Sequence, residues 1–136
     1  TIDHRRIRLT VRPGSDRLAR AAVVHEWHKS LLHREIPSRM EKWEARLKVR
    51  VAAYFLRRMK TKWGSCNVRS RNIRLNTELV KKPKDLLEYV VVHEMVHLRV
   101  PTHSQRFAEL MTEHYPGWKE AREELNSLPI ADERWG

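Results

Sequence analysis

An α+β fold is predicted by two kinds of patterning in the 136-residue sequence. Apolar residues recur at three- and four-residue steps from Arg17 to Leu47 and again from Pro83 to Leu128, the spacing of amphipathic helices. Between these stretches, β-branched and aromatic residues concentrate around Tyr54 and around Ile73, as they do in short strands. With 40% apolar and 33% charged residues, the chain has the composition of a folded globular protein rather than a disordered one. One domain over residues 1–136 is expected, long enough to bury a core without disulfides or metal staples.

The elements follow in order. Ile2–Pro13 alternates, with Ile7, Leu9 and Val11 opposite Arg6, Arg8 and Arg12, and predicts a strand ending at a Pro13-Gly14 turn. Ser15 or Asp16 is placed to cap a helix from Arg17 to about Glu35, whose face is Leu18, Ala21, Ala22, His25, His28, Leu31 and Leu32. Pro37 opens a second helical stretch to Leu47, with Met40, Trp43 and Leu47 on one side. A strand lies within Val49–Trp63, Gly64–Arg71 reads as a polar, basic turn, and Ile73–Leu75 reads as a second short strand stopped at Asn76-Thr77. A helix from Pro83 to near Arg99 carries Asp85 in its first turn, where a negative charge complements the helix dipole, and Pro101 ends it. Ser104–His114 and Trp118–Leu128 are two further helices, separated by Pro116-Gly117, and Pro129–Gly136 is a tail.

No apolar run approaches the roughly 20 residues a membrane span needs, and no signal-like stretch precedes the first element. The chain begins with Thr1, as expected of one lacking its extreme N-terminus. Cys66 is alone and has no internal partner, which fits a reducing, cytoplasmic setting. The net charge of +11 is uneven, because residues 1–84 hold 23 Lys/Arg against 7 Asp/Glu and the remainder is acidic. A basic half of this kind meets nucleic acid or nucleotide phosphates in some proteins and is merely a solvated surface in others. The run Arg57, Arg58, Lys60, Lys62, Arg69, Arg71 and Arg74, with Phe55 and Trp63 nearby, is its densest part.

The chemistry concentrates at His93-Glu94-Met95-Val96-His97. Residues four apart share one helix face about 6 Å apart along the axis, so both imidazoles reach one ion, and zinc favours such nitrogen ligands. Glu94 stands beside that ion rather than on it, where a carboxylate takes a proton from activated water. The pattern alone arises by chance in roughly one chain in 25 of this composition. His103 sharpens it, because a chain turning at Pro101 returns a third imidazole to the same ion and leaves a fourth position open. Cys66, His114 and His25 have no spacing that would close the site. Gly64, beside Trp63, is where the backbone can come close to another group.

The segments Lys62-Trp63-Gly64-Ser65-Cys66, Asn72-Ile73-Arg74-Leu75-Asn76, Val90 to Leu98 and His103-Ser104-Gln105-Arg106-Phe107 together resemble the YgjP-like family of metal-dependent hydrolases, relatives of the SprT-like and WLM zinc peptidases. The resemblance implies a zincin-like minimal core, a small sheet with its edge strand beside the active-site helix and several helices around it. It also implies that His93, His97 and His103 are zinc ligands and that Glu94 is catalytic. The expected activity is Zn2+-dependent hydrolysis of a peptide or protein, with Arg106, Tyr115 and His114 as candidates for steadying the oxyanion. Hydrolysis of nucleotide phosphoanhydrides is an alternative. So is a nucleic-acid-associated module, bound through the basic half, whose fold a metal organises.

Overall fold

The computed structural model describes residues 17–127. The predicted strand Ile2–Pro13, its turn, the Ser15 or Asp16 cap, the last residue of the helix expected to end at Leu128 and the tail Pro129–Gly136 lie outside those residues. Four helices and one three-stranded sheet are described: α1 (Arg17–Leu47), β1 (Ala53–Arg57), β2 (Gly64–Asn67), β3 (Asn72–Asn76), a 3-10 turn (Thr77–Lys81), α2 (Lys84–Val96), α3 (Gln105–His114) and α4 (Trp118–Asn126). The α+β expectation holds. No described helix is long and apolar enough to cross a membrane.

The two helical stretches predicted on either side of Pro37 are one helix of 31 residues. Pro37 lies on the exposed side, as does His33, whose carbonyl loses its usual N–H partner. On the opposite side Leu32, Ile36, Met40, Trp43 and Leu47 are all buried. Each such side chain contributes about 1.5–3 kcal/mol, enough together to outweigh the roughly 3 kcal/mol cost of an internal proline. The N-terminal face expected to be apolar is open instead, with Leu18 82% exposed, because buried contacts begin only at Leu32. Lys48 ends α1 at a φ of 56°, and the Glu44 carboxylate accepts a hydrogen bond from Val51 N–H at 2.9 Å, turning the chain into β1.

The sheet order is β1-β3-β2, with β1 parallel to β3 and β2 antiparallel to it. Gly64–Asn67 is therefore a strand, where the sequence reads as turn. The turn itself is confined to residues 68–71, where the Asn67 side chain accepts from the N–H groups of Arg69 and Ser70 and Arg71 takes a φ of 61°. Asn76 is fully buried and acts as a clasp. Its amide donates to the carbonyls of Met59 and Lys62 at 3.0 and 2.7 Å, and its oxygen caps the 3-10 turn through Glu78 N–H.

Helix α2 runs through the middle, with ten buried residues among its 13. The sheet, α1, α3 and α4 surround it. Glu88 on its outer edge receives Lys42, Trp43 Nε1 at 3.1 Å and Arg39 at 3.3 Å from α1, which fixes the two helices against each other. The helix stops at Val96, earlier than the expected Arg99, because the N–H groups of Leu98 and Arg99 bond three residues back and tighten the last turn.

Replacing Pro37 with alanine restores one helix hydrogen bond on an exposed face. The Pro37→Ala variant is expected to gain about 1–3 kcal/mol in denaturant unfolding. A loss of stability would mean that the proline is required where it stands.

Candidate metal centre

His93 and Glu94 sit in the last full turn of α2, and His97 is its C-cap residue. The chain then turns through Pro101 to Ser104, whose hydroxyl accepts from Phe107 N–H at 3.4 Å and starts α3. That turn carries His103 back over α2. The His97 and His103 Nε2 atoms lie 3.0 Å apart, and those of His103 and His93 lie 3.2 Å apart. Three nitrogens on a tetrahedral zinc at about 2.1 Å stand about 3.4 Å from one another. The donor set therefore fits one small cation, and it is the one such group of His, Cys, Asp or Glu among the described residues.

Protonation favours the same use. Burial holds all three imidazoles below their ordinary pKa. His93 is pushed down to about 3, mainly by burial and secondarily by the Arg122 charge. They are neutral near pH 7, the form that donates a lone pair to a metal. The His97 Nδ1–H donates to the Val100 carbonyl at 3.2 Å, which leaves Nε2 bare toward the centre. His93 Nδ1 makes the equivalent contact with Glu94 Oε2 at 3.2 Å. Exposure rises from His93 and His97 to His103, so the group opens to solvent on the His103 side.

Glu94 is buried, and burial pushes its carboxyl up to about 7 against the opposing pull of His97, His103 and Lys62. Its position depends on Gly64. A Cβ at residue 64 would lie 2.9 Å from Val90 Cγ1 and 3.0 Å from Glu94 Oε2. Only glycine lets β2 come this close to α2, the close approach that its place in the sequence anticipates.

Phe107 is buried with Leu110 and Met111 in α3, and its ring packs against all three imidazoles, with centroid distances of 5.1, 4.6 and 5.0 Å to His93, His97 and His103. Its place four residues after His103 was the available signal. Val100, Lys62 and Arg122 were not singled out for this site. The oxyanion candidates fare differently. Tyr115 donates its hydroxyl to the Asp85 carbonyl at 3.1 Å, at the far end of α2, while His114 and Arg106 lie beside Glu113 and Glu109. Cys66 is half-buried and lies outside the group of three histidines, and burial together with the Glu94 charge pushes its thiol up to about 11.

Placing a methyl at residue 64 tests this packing. Gly64→Ala is expected to cost about 1–3 kcal/mol in unfolding experiments, through overpacking against Val90 and Glu94. An unchanged denaturation midpoint would show that β2 is free to back away.

Comparison with known proteins places this arrangement. The chain is similar to two solved metallopeptidase zymogens. Abylysin from Pyrococcus abyssi is 20% identical with a TM-score of 0.60, covering 66% of this chain and 90% of its own. Jannalysin from Methanocaldococcus jannaschii is 19% identical with a TM-score of 0.55, covering 64% and 89%. At these identities the likeness concerns the fold. Among curated proteins none matches the sequence. The YgjP-like metallopeptidase domain matches residues 1–128, nearly the whole length, and the chain belongs to that family.

Proposed function

We propose that this protein is a zinc peptidase in which His93, His97 and His103 hold the ion and Glu94 is the general base. The observation that carries this reading is the convergence of three neutral Nε2 atoms at 3.0 and 3.2 Å beside one buried carboxyl. When bound, zinc brings the pKa of a water toward about 7 and polarises a carbonyl oxygen. Glu94 takes a proton from the attacking water and hands it to the leaving nitrogen. A carboxyl whose affinity for a proton lies near neutrality suits both transfers.

A peptide has a place to lie. Among the described residues β2 is an edge strand beside α2. Trp63 O accepts from Asn76 N–H, so hydrogen-bonded pairs recur at Ser65 with Arg74 and at Asn67 with Asn72. Cys66, between them, turns its backbone N–H and C=O off the open edge, where an extended substrate backbone can pair. That edge runs past Gly64 and Glu94 and so delivers a peptide bond to the acid–base group. Lys62, exposed just before β2 and acting to draw the Glu94 carboxyl down, is a cation available to a developing oxyanion.

Glu94→Gln is expected to keep its zinc on metal analysis and to lose about 10²–10⁴-fold in peptide hydrolysis. Retained turnover would remove Glu94 from the chemistry. His103→Ala is expected to lose zinc under mild chelation that the parent withstands. Equal metal content in the two would take His103 out of the ligand set.

A further inference from the structure

Tyr54, Leu56, Ile73 and Leu75 pack into the core on the α2 side of the sheet. Alternation along the strands sends Phe55, Arg57 and Arg74 to the other face, which the segment 59–62 covers only at its Asn76 end. The register sets Phe55 beside Arg74, with Ser65 next in the row, and Arg57 follows two residues along. Phe55 is 42% exposed. Arg57, Arg58 and Arg74 form no ion pair among the described residues.

This face runs into a cleft of about 580 Å³ at the outer edge of β1, walled by His25, Lys29 and His33 of α1 and by Phe55, Arg57 and Arg58. Lys29 is shared with Glu26 at 3.2 Å, and His33 is hydrogen-bonded to the Tyr54 hydroxyl at 2.7 Å. The uncompensated charge therefore rests on the arginines around the exposed ring. Among the described residues no acidic side chain lines the cleft.

We propose that this surface binds a single-stranded polynucleotide, with Phe55 as a stacking platform and Arg57, Arg58 and Arg74 on the phosphates. Cations alone would accept any polyanion. The open ring set among them is what selects for unpaired bases, since an acidic peptide has no bases to stack and a duplex keeps its base faces covered. The surface lies on the face of the sheet turned away from Ile73, Leu75 and α2, so binding here is separate from the chemistry proposed above.

The test is fluorescence anisotropy of the full chain with a labelled 20-nucleotide oligodeoxythymidylate at 50 and 200 mM salt. Binding is expected to weaken as salt rises. Phe55→Leu is expected to weaken it about tenfold, while Phe55→Tyr, which keeps the ring, binds like the parent. Arg57→Ala combined with Arg74→Ala is expected to reduce the slope of log affinity against log salt by about 1.4. Glu94→Gln is expected to bind unchanged, so failure here and failure of the peptidase reading are distinguishable. The proposal is overturned by no binding at 50 mM salt, by parental affinity in Phe55→Leu, or by polyglutamate of equal length competing as well as the oligonucleotide.

Discussion

The burial of α2 on every side is the constraint from which the rest follows. A helix that is apolar nearly all round needs cover on all its faces, and the sheet, α1, α3 and α4 supply it. Its last turn carries His93 and Glu94 into the same dry surroundings as Val92 and Met95. There an imidazole cannot easily hold a proton and a carboxyl cannot easily lose one. The values of about 3 for His93 and about 7 for Glu94 are consequences of packing rather than of any elaborate charge network. The fold thus produces neutral ligands and a poised acid–base group by the same step that forms its core.

Two local devices turn that burial into a site. Gly64 removes the side chain that would hold β2 away from α2, and Asn76 clasps the segment leading into β2 by bonding the Met59 and Lys62 carbonyls. On the other side Ser104 starts α3 so that Phe107 reaches all three imidazole rings. Phe107 is an apolar wedge with a geometric task, restricting the rings to orientations in which their Nε2 atoms meet.

Much of this was legible in the sequence where the cause is local. Helical spacing alone puts His93 and His97 on one face, and Pro101 foretells the turn that returns His103. The failures are non-local. Gly64-Ser65-Cys66-Asn67 has no apolar alternation, so it reads as a turn, and only its pairing with β3 makes it a strand. Pro37 marks a helix boundary by its own chemistry, but burial of Ile36 and Met40 on the opposite face overrules it. The apolar spacing from Leu18 to Leu31 is real but meets no buried core among the described residues until Leu32, which no periodicity records. The contact of Phe107 with three histidines is likewise invisible until the chain is folded.

X-ray absorption at the zinc edge of the metal-loaded protein tests the central claim most directly. The account predicts four light-atom neighbours at about 2.0–2.1 Å, three of them imidazole nitrogens and one an oxygen from water. A sulfur neighbour near 2.3 Å would place Cys66 on the metal, and four nitrogens would close the position that hydrolysis needs open. Either result would contradict a hydrolytic centre built from His93, His97 and His103.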